Sequence, residues 1–130
     1  MKYVYPAIFA EEDGVYNVRF PDFSECLTFG ENMADALEMA QDVLCLHLYN
    51  LEEEKAEIPE AADMAMLEVA PGEIVSLVVC DTLEYRKFYG KQAVKKTVSI
   101  PAWLNTMAEA ANINFSSILQ QGLKAQLNID

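Results

Sequence analysis

The sequence is poor in the side chains that most often carry catalysis or bind metals. It has one histidine and three cysteines in 130 residues. Cys26, Cys45 and Cys80 are odd in number and far apart, without the paired spacing of a disulfide framework or a zinc site. We therefore expect reduced, buried thiols. His47 falls in a predicted helix with no second histidine, so we expect it to be structural or exposed.

The chain also lacks a long apolar run. No stretch reaches the roughly 18–20 apolar residues that span a bilayer. At the N-terminus, "MKYVYPAIFAEEDG" places Pro6 and charges where a signal peptide needs a long apolar segment. Hydrophobic residues still make up 52% of the chain, enough for a packed domain with a smaller appendage. These features predict a soluble, cytoplasmic protein that contacts no membrane.

Basic residues are scarce: the chain has 9 Lys and Arg against 21 Asp and Glu, a net charge of −12. Residues 91–130 contain four lysines and two acidic residues, so this segment carries +2 and residues 1–90 carry −14. An acidic body suits a basic protein partner and repels nucleic acid. The mildly basic C-terminal segment, in contrast, can approach a phosphate backbone.

The first half of the chain predicts three strands and a helix. "KYVYPAIFA" and "VYNVRF" are rich in β-formers and flank "EEDG", which predicts a hairpin closed at Asp13-Gly14. After a turn at "PDFSE", residues 26–29 predict a third short strand. Asn32 is a candidate cap for a helix that reaches about Lys55. The apolar stripe of this helix comprises Leu37, Ala40, Leu44, Leu48 and Leu51.

Residues 57–73 contain two prolines and a glycine, which predicts a loop with room for one short helical turn. The β-branched run "IVSLVVC" at 74–80 is typical of a strand buried on both faces. Residues 1–81 therefore predict an α+β domain of β-β-β-α-β order, with one long helix covering a face of the sheet. We interpret residues 82–93 as a linker.

Residues 94–130 predict one strand and two helices. The strand is "KKTVSIP", and the helices begin at Pro101 and Asn114, with Asn112 suited to a left-handed helix end. So small a unit cannot bury a core alone, and a single strand leaves its backbone unpaired. We expect the same strand of a second copy to pair with it as a two-fold symmetric ribbon.

Side chains alternate along this strand, so one face packs on the helices and the other is polar. The polar face, suited to a DNA major groove, comprises Lys95, Thr97 and Ser99. Three backbone N–H groups that open the second helix are candidates for holding a phosphate: those of Phe115, Ser116 and Ser117. A solvent-facing edge strand and an ordinary capped helix explain the same spacing, so spacing alone leaves both hypotheses open.

The order strand, proline, helix, turn, helix in "KKTVSIPAWLNTMAEAANINFSSILQQGLKAQL" resembles a ribbon-helix-helix DNA-binding domain of the MetJ/Arc class. The resemblance implies that the three polar strand residues read bases and that the start of the second helix clamps a phosphate. The sequence departs from the family pattern at two positions. Asn112 replaces a frequent glycine, and Phe115 stands where related domains often have arginine.

The segment "DGVYNVRFPDFSECLTFGENMADALEMAQDVL" at 13–44 resembles the HicB antitoxin family. The shared features are the Asp-Gly hairpin, Phe-Pro-Asp followed by a cysteine, Thr-x-Gly, and a helix that begins near Asp-Ala-Leu. "VVCDTLEY" at 78–85 also fits, whereas Ser24-Glu25 replaces small residues. The resemblance implies a partial RNase H-like N-terminal domain that blocks HicA, a small basic mRNA-cleaving toxin. It also implies a C-terminal domain that represses the operon.

Two other functions stay open at this point. An RNase H-like nuclease needs clustered carboxylates for divalent metals. A stand-alone repressor that senses a small molecule needs a ligand motif, and the sequence has no Gly-rich phosphate loop. The candidate metal ligands are Asp22, Glu25, Asp35, Glu38 and Asp42.

The sequence therefore predicts a non-enzymatic HicB-like antitoxin and autorepressor without a cofactor or metal. Its domains are 1–81, which binds a HicA-like toxin, and 94–130, which forms a homodimer and binds operator DNA. Pairing of dimers into tetramers is left open. The candidate toxin contacts are Asp22, Glu25, Glu31 and Asp35.

Overall fold

The computed structural model describes all of residues 1–130, which divide into two compact units, 1–92 and 93–130. The first unit is a mixed α+β fold around a four-stranded antiparallel sheet of order β3-β2-β1-β4. Its elements are β1 (Lys2–Glu12), β2 (Val15–Phe20), β3 (Phe23–Gly30), α1 (Met33–Glu53), a 3₁₀ turn (Met64–Met66), β4 (Ile74–Asp81) and α2 (Thr82–Tyr89).

The hairpin between β1 and β2 closes at the predicted Asp13-Gly14 pair. Asp13 has φ 54° and Gly14 has φ 82°, and Glu12 lies opposite Val15. Positive φ at both central residues matches the right-handed twist of the flanking strands. Pro6 is tolerated in the central strand because β2 pairs with β1 only from Ile8 onward, so no partner needs a Pro6 N–H.

Strand β3 begins three residues earlier than the sequence predicted. It starts at Phe23 because that ring is buried, 4.8 Å from the ring of Tyr5 and 4.8 Å from that of His47. The predicted turn therefore shrinks to Pro21 and Asp22, with a register irregularity at Arg19/Phe20. His47, half-buried on α1, packs against the core.

Helix α1 packs its buried residues on one face of the sheet, capped as predicted by Asn32. The predicted stripe was wrong at its start, where Ala36 is buried and Leu37 is 38% exposed. The reason is close contact with β3. A Cβ added to Gly30 would lie 2.3 Å from the Ala36 nitrogen, so only a small pair fits here. The buried residues of the helix are Ala36, Ala40, Leu44, Cys45 and Leu48.

The prediction that β4 is buried on both faces was wrong. The strand forms an edge of the sheet and pairs only with β1. Val78 and Cys80 are buried, whereas Leu77 and Val79 are 51% and 48% exposed. A β-branched run indicates a strand, but it does not show how many neighbours the strand has.

Residues 82–89, expected to lie in a linker, form helix α2. The Asp81 carboxylate caps it by accepting from the Leu83 N–H at 3.0 Å. Glu52 on α1 then joins three elements. It accepts from the Tyr3 hydroxyl at 2.7 Å, from the Thr82 hydroxyl at 2.9 Å and from Arg86 at 3.1 Å. These contacts link residues far apart in sequence, so the local sequence pattern does not predict the helix.

The three cysteines are free and buried, as expected. Burial raises the pKa of Cys26 to about 11. The Cys26 thiol is therefore a protonated part of the core at neutral pH. None of the helices has the length and apolar character needed to cross a membrane.

The second unit contains α3 (Ala102–Ala110) and α4 (Phe115–Leu127). Asn112 has φ 55°, the left-handed conformation predicted for it. No residue of 93–130 is buried in the single chain, which agrees with the expectation that the unit cannot form a core alone. Residues 94–100 make no strand pairing within the chain, so their predicted pairing with a second copy stays a prediction.

The Glu52 junction predicts acid sensitivity. Burial opposes ionisation of Glu52, but hydrogen bonds from Tyr3, Thr82 and Arg86 outweigh it and lower its pKa. A lowered pKa stabilises the fold above the unfolded value near 4.3, and this stabilisation is lost as pH falls. The free energy of unfolding, measured by urea denaturation and circular dichroism, should drop between about pH 5 and pH 3.

The Glu52→Gln variant should lose less stability over the same pH interval, because it has no carboxylate to protonate. Glu57→Gln, at an exposed position outside the junction, is the matched control and should follow the wild-type profile. Identical acid profiles for both variants would contradict this role of the junction.

Candidate functional site

The four candidate toxin contacts lie near the two ends of β3. Asp22 and Glu25 are at its start, and Glu31 and Asp35 are just beyond its end at Gly30. Glu25 and Glu31, the nearest members of the two pairs, are six residues apart along the strand, a separation of about 20 Å. The structure therefore presents two separate acidic pairs rather than one patch.

Two of these acids are already engaged within the chain. Asp22 accepts from the Ala62 N–H with both carboxylate oxygens, at 3.0 and 3.3 Å, and so fixes the 57–73 segment beside the sheet. Asp35 accepts from the Glu31 N–H at 2.9 Å, while its own N–H donates to Asn32 at 2.8 Å. Together these two hydrogen bonds hold the start of α1, with Asn32 as the cap.

Glu25 and Glu31 are exposed, and their carboxylates have no hydrogen-bond partner in the chain. Because their charge is not used internally, they remain the candidates best placed to meet a partner. Residues 1–92 as a whole contain 19 acidic and six basic residues, a net charge of −13. Such a surface attracts cationic proteins over several ångströms and speeds their association.

The carboxylates considered as metal ligands do not come together. No group of three or more His, Cys, Asp or Glu side chains is arranged to hold a metal ion. Asp22 and Asp35 are used in hydrogen bonds, and Glu38 and Asp42 are exposed on α1. The metal-dependent nuclease hypothesis therefore has no ligand set in this fold.

The polar face predicted for the C-terminal strand is exposed. Lys95, Thr97 and Ser99 are all open to solvent, as are Val98 and Ile100 of the other face. A groove of about 990 Å³ lies within this unit between residues 93–98 and helix α4. The side chains that α4 contributes to the groove are Ser116, Leu119, Gln120 and Leu123.

At the start of α4, the helix cap uses one of the three N–H groups predicted to hold a phosphate. The Ser117 N–H donates to the Asn114 side chain at 3.0 Å, so this group is used by the helix cap. The N–H groups of Phe115 and Ser116 have no acceptor in the chain, since the helix begins with them. The sequence predicts the cap at Asn114, and a side-chain cap of this kind occupies one of the N–H groups that open the helix.

A cluster on α1 and α2 was missed from the sequence. The Arg86 guanidinium lies 4.7 Å from the ring centroid of Tyr49, and the rings of Tyr85 and Tyr89 lie 4.6 Å apart. Arg86 is also held by Glu52 and Glu53. The sequence shows the four aromatic residues of this cluster in "YN" and "YRKFY". It does not show that they lie close together, because that depends on how the two helices pack.

Comparisons with known proteins indicate one family over nearly the whole chain. The family model described as HicB_like antitoxin of bacterial toxin–antitoxin system matches residues 5–122. No curated protein sequence gives a significant match. A chain in a toxin–antitoxin complex from Streptococcus pneumoniae is 27% identical, with a TM-score of 0.64, and the match covers 97% of this chain and 99% of that one.

Two further structures share the fold. The Burkholderia pseudomallei antitoxin HicB is 22% identical, with a TM-score of 0.55, and the match covers 96% of both chains. A chain in a HicA3 and HicB3 toxin–antitoxin complex is 24% identical, with a TM-score of 0.51, and the match covers 61% of this chain and 99% of that one.

The hydrogen bonds of Asp22 predict a structural effect that Glu25 does not share. Asp22→Ala should lower the free energy of unfolding by about 1 kcal/mol, because the Ala62 N–H loses its acceptor. Glu25→Ala, three residues along the chain and exposed, should change it by less than about 0.5 kcal/mol. Urea denaturation measures both, and equal effects would contradict this assignment.

Proposed function

The chain belongs to the family of HicB-like antitoxins of bacterial toxin–antitoxin systems, and on that premise we propose how it works. Residues 1–92 bind and neutralise a HicA-like mRNA-cleaving toxin in the cytoplasm. Residues 93–130 pair as a ribbon-helix-helix dimer and repress the operon. The observation that carries the proposal is the division of the chain into an acidic unit with a complete core and a short unit without one.

The toxin-binding role rests on charge. A ribonuclease that binds RNA needs a basic surface, and a unit of net charge −13 is complementary to it. The exposed Glu25 and Glu31 are the proposed contacts, with Asp22 and Asp35 shaping the same two regions from within. We also interpret this unit as a partial RNase H-like domain without a carboxylate set for catalysis.

The DNA-binding role rests on what residues 93–130 lack. A unit with no buried residue gains a core only by association, and its unpaired 94–100 segment offers a backbone for strand pairing. In a two-fold ribbon, Lys95, Thr97 and Ser99 lie on the outward polar face, which has the width for a major groove. The N–H groups of Phe115 and Ser116 are the proposed phosphate contacts.

The net charge of the DNA-binding unit is small. Residues 93–130 contain three lysines and two acidic residues, a net charge of +1 per chain. Because phosphate contacts supply much of the affinity for DNA, a single dimer has little electrostatic attraction to add. We propose that tight operator binding needs more than one dimer, or the basic toxin bound alongside.

Toxin neutralisation is tested with the small basic HicA-like protein that we expect to be encoded next to this chain. We expect the two to co-purify after co-expression and expect this chain to stop RNA cleavage by its partner in a stoichiometric assay. Binding should weaken at higher salt, since the charges attract across water. The antitoxin role fails if the neighbour neither binds nor is inhibited.

Operator binding is tested with Lys95→Ala combined with Thr97→Ala. Gel shifts on the promoter of the operon should show about tenfold weaker binding or more, because a phosphate or base contact is lost in each chain of the dimer. Lys124→Ala, on the last turn of α4, removes a similar charge and should have a smaller effect. Unchanged affinity of the double variant, with an unchanged dimer mass, would refute the ribbon assignment.

A further inference from the structure

Strand β4 is an open edge whose outward backbone donors are unused. In the register with β1, the backbone N–H and C=O groups of Ser76, Val78 and Cys80 point toward β1. The backbone groups of the residues between them therefore point outward from the edge of the sheet. The carbonyl of Val79 confirms this direction, since it accepts from the Gln41 side chain of α1 at 2.9 Å. The N–H donors with no acceptor in the chain are those of Val75, Leu77 and Val79.

A groove of about 310 Å³ runs along this edge between β4 and α1. It opens here because α1 lies closer to the other side of the sheet, where Gly30 touches Ala36. The groove is apolar, and Glu38 is the only charged residue that lines it. Its walls include Ala34, Leu37, Gln41, Leu77 and Val79.

The edge carries none of the usual protection against pairing. The sequence of β4, "IVSLVVCD", has no lysine, no proline and a single charge at its end. The side chains of Leu77 and Val79 are exposed at this edge on the face away from α1, and Leu37 flanks the groove from α1. Free donors beside side-chain pockets are the features by which a sheet edge accepts an extended segment of another protein.

Charge identifies the occupant. Glu38 lines the groove, Asp42 follows it on α1, and Asp81 ends the strand. A second copy paired through β4 would bring two units of net charge −13 side by side, whereas a cationic segment would be attracted. Complementary charge therefore favours a basic partner over a second copy of this chain.

We propose that the β4 edge accepts an extended, basic-flanked strand of the toxin, so that the sheet continues from this chain into its partner. The inference rests on the proposed toxin-binding function and adds the mode of contact. The backbone donors of β4 bind the incoming strand, the groove takes its alternate side chains, and Glu38 meets its basic flank. Gln41 marks one end of the site by holding the Val79 carbonyl.

The test compares two exposed apolar positions in the full chain. Leu77→Lys on β4 places a cation at the proposed site. Leu46→Lys on α1 is the matched control, because Leu46 is 47% exposed and lines neither this groove nor the acidic ends of β3. The probe is the co-expressed small basic neighbour, with binding measured by titration calorimetry and folding by circular dichroism.

We expect Leu77→Lys to weaken binding about tenfold or more through a lost apolar contact and added repulsion. Leu46→Lys should stay within about threefold of the wild-type chain, since a single distant charge is screened. Equal affinity of both variants overturns the edge inference while the antitoxin role stands. Failure of the wild-type chain to bind overturns both.

Amide hydrogen exchange on the wild-type complex gives a second measurement that needs no variant. The amides of Val75, Leu77 and Val79 should exchange rapidly in the free chain and slow at least about tenfold when the partner is bound. Unchanged exchange at all three overturns the inference. Protection that appears without the partner and rises with concentration assigns the edge to a second copy and also overturns it.

Discussion

The packing of one helix on one face of the sheet decides what the first unit presents to its surroundings. α1 meets that face at Gly30, where the Ala36 backbone leaves no room for a side chain. This contact draws the helix toward β3 and leaves space beside β4. The opposite face has no helix, so apolar side chains such as Phe29, Leu77 and Val79 remain exposed. The core is therefore complete beneath the helix, while the edge at β4 stays open.

Local chemistry was enough to predict the parts of the fold that depend on neighbours in sequence. The Asp13-Gly14 turn, the Asn32 and Asn114 caps and the left-handed Asn112 each follow from the preferences of one or two residues. Each determines a backbone conformation or a hydrogen bond over three or four positions. These features need no knowledge of distant packing.

The errors share the opposite cause. Whether β4 is central or at an edge depends on its partners, and the same β-branched run serves in either place. Helix α2 is stabilised by Glu52, thirty residues before it in the chain, so its own sequence has little signal. The candidate site followed the same rule. Its acidic character could be predicted, but the use of Asp22 and Asp35 in hydrogen bonds could not.

Because residues 93–130 have no buried side chains, the folding of this unit is linked to the concentration of the chain. In the proposed pair, the stabilising free energy comes from association and grows with the logarithm of chain concentration. The sheet closes its core within one chain and has no such dependence. When copies become scarce, the C-terminal unit is therefore the first to lose order. Under the proposed function, DNA binding would then depend on how many copies are present, whereas toxin binding would depend only on the folding of each copy.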